Sequence, residues 1–258
     1  MSAPILFAFL LGGGTLAFEV FGPRLIQAHF GYSPVLWASV ISVFLGGLTV
    51  GYFLGAKMAD HARRNLAAAA AWAVAGILVL LSPQIAGQVA DLFLSRPGDP
   101  PVWEPLAGAF LIFFLPTVAM GTALPVLVGM APSHGRGAGS HAGRLLGIST
   151  LGSILGVLGL TFGLVGRLTH PQIALALSLP WLLAAAWSLR LPARGWGAPL
   201  ALVAFMGASP LGETTLWEGD SLLHHIKVSE DATHRALFFD SWMESIVLKS
   251  DPMQGHFH

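Results

Sequence analysis

Residues 34–56 read PVLWASVISVFLGGLTVGYFLGA, an unbroken run without a single charge, followed at once by Lys57, Asp60, His61, Arg63 and Arg64. As a helix rising 1.5 Å per residue, such a run spans roughly 34 Å, enough to cross ~30 Å of hydrocarbon. A stretch this long and apolar, closed by a polar, mostly basic cluster, reads as a transmembrane helix. The same reading outward from it finds five further apolar stretches, near 3–21, 66–82, 104–130, 145–166 and 171–189. A seventh candidate, 196–211, is short and carries Pro199 and Pro210, which suits a tilted or interfacial helix. The expected fold class is an all-α polytopic membrane bundle of about seven transmembrane helices, residues 1–212, followed by a small antiparallel β-sheet domain, residues 213–258.

Composition agrees. Of the 258 residues 54% are hydrophobic and only 10% charged, with mean hydropathy +0.70, whereas soluble domains carry about 25% charge. The net charge is zero, but residues 1–212 hold ten bases and five acids, and residues 213–258 hold three bases and eight acids. A basic membrane part with an acidic water-facing tail argues against nucleic-acid binding and names the lipid bilayer as a partner. The absence of cysteine removes disulfides and thiolate chemistry.

The basic residues fall in alternate loops: Lys57, Arg63, Arg64, Arg136, Arg144, Arg190 and Arg194 against Arg24, Arg96 and Arg167. By the positive-inside rule the N-terminus is cytoplasmic in a multi-pass protein of the bacterial inner membrane. With seven spans the tail is extracytoplasmic; with six it is cytoplasmic.

Glycines recur every four residues at 47, 51 and 55, and Gly152, Gly156, Gly159 and Gly163 form a similar stripe. Such stripes let helix backbones approach closely in lipid. Pro116 and Pro125 bracket Met120 and Gly121, and are expected to kink or break the fourth span. Trp37, Trp72, Trp103, Trp181, Trp187 and Trp196 are expected to form an interfacial aromatic belt.

One intramembrane charge needs an explanation. Glu19 lies in the first apolar run, where an ionised carboxylate costs about 2.5 kcal/mol or more unless paired or neutralised. Pro23 is expected to end that helix and fold Arg24 back onto Glu19, and substrate binding or proton carrying at Glu19 is the alternative. Asp60 reads as a solvated loop charge. No catalytic residue and no metal site is assigned: His224 and His225 are adjacent and would point to opposite faces of a strand, and His256 with His258 sits at the chain end.

After Glu213 short alternating runs, 215–218, 222–228, 235–239 and 245–248, are separated by turn residues, the pattern of a three- or four-stranded meander. So small a sheet needs a partner chain, the membrane domain or a missing C-terminal domain to cover it.

Several ordered motifs carry a family resemblance. Glu19, Arg24, Phe30 to Ser33 (FGYS), Trp37, Gly51, Tyr52, Gly55, Ala59 and Asp60, the run 115–125 (LPTVAMGTALP) and the run 143–156 (GRLLGISTLGSILG) resemble the membrane domain of bacterial fused MFS/spermidine-synthase-like proteins. The tail, with Leu216, Trp217, Glu218, Asp220, Ser221, Ile226, Val228, Arg235, Leu237, Asp240, Ser245, Asp251 and Pro252, is similar to the N-terminal β-domain of spermidine synthases. The resemblance implies the membrane module of an aminopropyl- or methyl-transferase, with S-adenosylmethionine or its decarboxylated form held by a Rossmann-like domain supplied elsewhere. No GxGxxG follows a strand here, and the run Gly12, Gly13, Gly14 lies inside an apolar helix, so no cofactor is assigned to this chain. The family's Tyr-Gln before its Ile-x-Val strand is Leu223 and His224 here, and its Asp-Gly turn followed by Gln is Asp240, Ser241 and then Glu244. The candidate substrate-binding residues are Glu19, Arg24, His224 and Glu244. The expected role is a non-catalytic anchor or scaffold, with an accessory subunit docking a partner through the β-tail and a small-solute transporter as alternatives.

Overall fold

The structure, a computed structural model, describes residues 3–94, 101–130, 138–190, 214–220, 225–230, 234–239, 242–248 and 251–257. Its body is built of helices α1 (Ala3–Phe30), α2 (Pro34–Ala59), α3 (Arg64–Leu94), α4 (Glu104–Gly121), α5 (Ala123–Met130), α6 (Ala138–Leu158) and α7 (His170–Ser188), with a π-helical turn, Gly159–Leu164, extending α6. Helices α4 and α5 together form one span and α6 with its π-turn another, giving six candidate spans among the described residues, from Ala3–Gln27 to His170–Ser188. Six helices of that length and apolarity make this a multi-pass membrane protein.

Local chemistry sets the helix ends. Gly31, at φ 72, takes the left-handed conformation and donates its N–H to the Gln27 carbonyl at 2.9 Å, closing α1. Two residues on, the Ser33 hydroxyl accepts from the Leu36 N–H at 3.2 Å and Pro34 opens α2. A capping box of Thr169 and Gln172 starts α7.

The proline at 23 does not end α1, which runs on to Phe30. Likewise α3 passes through Pro83. A proline deprives the carbonyl four residues back of its N–H partner; for Pro83 that carbonyl is Val79's, and the Ser82 hydroxyl donates to it at 2.7 Å. The lost bond is thus replaced locally, which is how membrane helices tolerate proline. The fourth span does break where expected, at Thr122 between Pro116 and Pro125.

Helices pack pairwise, α1 on α6, α2 on α4 and α3 on α7. The glycines at 47, 51 and 55 all face α4 and its end: a Cβ on Gly51 would strike the Val118 carbonyl and one on Gly55 would lie 2.7 Å from Thr122 Cα. The second stripe is only half as expected. Gly152 and Gly156 press on Phe9 and Gly13 of α1, but Gly159 and Gly163 have open space around them, because the helix widens to a π-turn at Gly159 and its faces change phase. Between the pairs, Phe18, Phe44 and Phe113 form a buried triad with ring centroids 5.5–5.6 Å apart. Trp72 and Trp181 are also fully buried, so they belong to the core and not to the aromatic belt. Trp103 is exposed and Trp37 and Trp187 are half-buried near helix ends.

Beyond the helices the backbone of residues 214–257 pairs in chain order as five short antiparallel segments, Thr214–Asp220, His225–Glu230, His234–Phe239, Trp242–Leu248 and Asp251–Phe257. Paired backbone becomes a domain only when a face is buried against a second layer. The described core consists entirely of helical-body residues, and the two tail side chains that are described, Val228 and Leu237, are only partly buried. The expected fold class is therefore corrected: the structure is about 89% helical over the region that defines its architecture, holds six membrane-length helices among the described residues, and shows no β-sheet domain. The candidate seventh span, 196–211, and the expected domain boundary at 212 lie outside the described residues.

The end of α1 carries a histidine with a buried ring nitrogen. His29 lies beyond the Ala3–Gln27 span, with Nδ1 buried and no hydrogen-bond partner among the described residues. Burial lowers its pKa, and the Asp91 carboxylate opposes this only in part. A lowered folded-state value means that the unfolded chain takes up the proton first, so stability is unaffected above the ordinary histidine range and falls as pH drops through it. The thermal midpoint in detergent should therefore decrease from pH 7.5 to pH 5.5, and His29→Phe should flatten that slope.

Candidate functional site

A cleft of about 180 Å³ opens on the side of the bundle. Its floor is α1 with the broken α4 and α5; α2 and α6 form its walls, and Tyr52, Leu146 and Thr150 at its rim are exposed. Glu19 is the one charged residue that lines it, four residues from the middle of the Ala3–Gln27 span, or about 6 Å along the axis. Thr15 stands one turn before Glu19 on the same face of α1, and Ser149, Thr150 and Ser153 come from α6.

The hydroxyl hydrogens of this set are largely spent. Thr15 donates to the Leu11 carbonyl at 2.8 Å, Thr150 to Leu146 at 3.0 Å, and Ser153 across the interface to Gly12 at 2.9 Å. A hydroxyl that donates its hydrogen keeps its oxygen lone pairs. The lining therefore presents the oxygens of Thr15, Thr150 and Ser153 and the Glu19 carboxylate as acceptors, beside the Ser149 and Tyr52 hydroxyls, which can donate or accept. Pro23 adds to this bias, since it supplies no N–H to the carbonyl four residues back, which is Glu19's own. A pocket rich in acceptors, with one negative charge and no lysine, arginine or histidine in its lining, suits a cation that brings its own N–H donors, or a proton.

The expected partnership of Glu19 with Arg24 is not favoured by this geometry. Because α1 continues through Pro23, residues five apart lie about 140° apart around the axis, whereas neighbours on one face are three or four apart. Arg24 does not line the cleft. His224 lies outside the described residues, and so does the side chain of Glu244, whose backbone lies in the Trp242–Leu248 segment. Asp60 is exposed at the end of α2, as a loop charge should be.

The sequence reading passed over Thr15, Ser149, Thr150 and Ser153. The four-residue step from Thr15 to Glu19 was a signal that could have been used; the convergence of α6 on that face was not visible before the helices were packed. Glu104 was also passed over. It is only 5% exposed and sits in the first turn of α4, where the positive end of the helix dipole favours a carboxylate.

No protein family, curated protein or solved structure matches the chain.

Proposed function

We propose that the chain is a membrane module whose lateral cleft holds a small cationic solute, with Glu19 as counter-charge and the hydroxyls of Thr15, Thr150 and Ser153 as acceptors. The observation that carries this reading is the acceptor-rich lining around one intramembrane carboxylate. A volume of about 180 Å³ is slightly larger than cavities that accommodate benzene, so the solute class is an ammonium or small alkylamine of about six heavy atoms. The resemblance to fused MFS/spermidine-synthase-like proteins is compatible with an amine. On that reading the helices anchor, or feed, a transferase whose S-adenosylmethionine-type cofactor is bound by a domain supplied elsewhere.

The test is equilibrium binding of radiolabelled methylammonium and n-butylamine to the purified chain in nanodiscs. Saturable binding is expected, reduced at least tenfold by Glu19→Gln, because a charge-assisted hydrogen bond contributes about 1.5–3 kcal/mol. Ser153→Ala should weaken it only a fewfold. Unchanged binding in Glu19→Gln, or no saturable binding of either amine by the unaltered chain, would refute the reading. Uptake into proteoliposomes then separates a carrier from a static anchor.

For localisation, Lys57, Arg63, Arg64, Arg144 and Arg190 lie at or near the end of the bundle where α1 begins, and Arg24 and Arg167 towards the other. This distribution supports a cytoplasmic N-terminus in a bacterial inner membrane.

A further inference from the structure

A second cavity, about 280 Å³, lies at the end of the bundle where α3 begins and α7 finishes. Its chemistry is opposite to that of the cleft. Arg64, Asn65, Ser188 and Arg190 contribute polar groups, Trp187 forms an apolar wall, and no acidic residue is among its lining.

The arrangement is held in place from several sides. Arg64 donates from Nη1 to the Gly129 carbonyl at 3.0 Å, which ties α3 to α5 and fixes the guanidinium. A guanidinium has five N–H donors, so four remain. Ser188, buried, donates its hydroxyl to the Asn65 carbonyl at 2.7 Å and locks α7 against α3. Arg190 has φ 53, in the left-handed region, the one described non-glycine residue with positive φ. That conformation is disfavoured for a residue with a Cβ, and it is kept by the Arg190 N–H donating to the Trp187 carbonyl at 2.9 Å. A tight turn at this point would ordinarily take glycine; an arginine here brings a second guanidinium to the cavity. Trp187 itself packs on Phe7 with ring centroids 4.7 Å apart, at the level where tryptophan meets lipid headgroups.

From this juxtaposition we infer that Arg64 and Arg190 form a binding site for the phosphate of an anionic phospholipid headgroup. Guanidinium groups match phosphate oxygens in bidentate geometry, and basic pockets between helices at a membrane face are suited to such headgroups. At ~30 Å³ per water, the cavity has the capacity of about nine waters, room for a phosphate and its glycerol. The neighbouring indole would lie against the upper acyl chain.

The experiment is native mass spectrometry of the full chain released from dodecyl maltoside, titrated with phosphatidylglycerol, with phosphatidylcholine, and with inorganic phosphate as competitor. The expected result is saturable retention of phosphatidylglycerol at least tenfold stronger than that of phosphatidylcholine. Retention should fall at least tenfold in Arg190→Gln and stay unchanged in Arg167→Gln, whose guanidinium instead donates to the Phe162 and Gly163 carbonyls. Arg64→Lys keeps the charge but loses the fork and should give an intermediate loss, so the inference does not rest on one variant. If millimolar inorganic phosphate displaces the lipid, the shared oxyanion chemistry stands and the soluble anion becomes a competing occupant. Equal retention of the two lipids, or undiminished phosphatidylglycerol binding in both Arg190→Gln and Arg64→Lys, would overturn it.

Discussion

Alanine at Gly152 is expected to destabilise the bundle, whereas alanine at Gly147, five residues earlier on the same helix, is expected to stabilise it slightly. In a helix interior alanine is favoured over glycine by roughly 0.5–1 kcal/mol, so without contacts both changes should help. Space decides otherwise. A Cβ at Gly147 meets nothing within 4 Å, but one at Gly152 would collide with the Phe9 carbonyl oxygen and lie 2.8 Å from the carbonyl carbon. Those atoms belong to the α1 backbone, which cannot rotate aside as a side chain can. The helices must part, and in lipid there is no water exclusion to recover the lost packing. Overpacking of this kind costs about 1–3 kcal/mol, and leucine at Gly152 should prevent recovery of a monodisperse bundle altogether. Ser153, the next residue, donates to Gly12 on the same interface, so separating α1 from α6 also dismantles the cleft. Thermal midpoints of the two alanine variants, measured in one detergent, check the opposite signs; a fall in both, or in neither, would contradict the close α1 to α6 contact.

The second large effect is expected at Trp181, which is fully buried beside Gly14 and packs α7 into the core. Truncation to alanine should cost about 3–5 kcal/mol, because the surrounding helices relax only partly into the vacated volume. Phenylalanine should cost far less than its smaller size suggests. The indole Nε1 has no hydrogen-bond partner among the described residues, and removing an unsatisfied buried donor relieves a penalty of about 1–3 kcal/mol. Unfolding midpoints for alanine and phenylalanine at this position should therefore differ widely. If both variants fell equally, the indole would be serving through its N–H and not through its bulk.

These two positions also show what could be read from sequence. The apolar runs and the spacing of Gly47, Gly51 and Gly55 report directly on spans and on one helix interface, because hydropathy and a four-residue period are local properties. The break between Pro116 and Pro125 was visible for the same reason. Pro23 misled, since the rule that proline ends a helix assumes that the freed carbonyl is left unsatisfied; α3 shows otherwise at Pro83, where Ser82 meets that need at Val79. Trp72 and Trp181 misled because distance from a span end says nothing about which face of the helix is buried. Of the cleft, Glu19 and, one turn before it, Thr15 were legible. An isolated intramembrane carboxylate stands out against lipid, but Ser149, Thr150 and Ser153 come from about 130 positions away and meet it only once α6 lies on α1. The tail has period-two runs, and period alone carries no information on what covers a sheet.

Everything said of the cleft depends on α1 to α7 crossing a bilayer six times and holding Glu19 inside it. The chain has no cysteine, so single cysteines can be introduced without background. Ser33, Val102 and Gly166 lie between helices at one end of the bundle; at the other, Asp60 lies between α2 and α3 and Leu189 caps α7. Each should be replaced by cysteine in turn and exposed to a membrane-impermeant maleimide in sealed, uniformly oriented vesicles. The expected result is labelling of one group from outside and of the other only after the vesicles are opened, with a cysteine at Leu11 silent in both. Labelling of both groups from the same side, or of the position at Leu11 as readily as the loops, would contradict the six-span bundle.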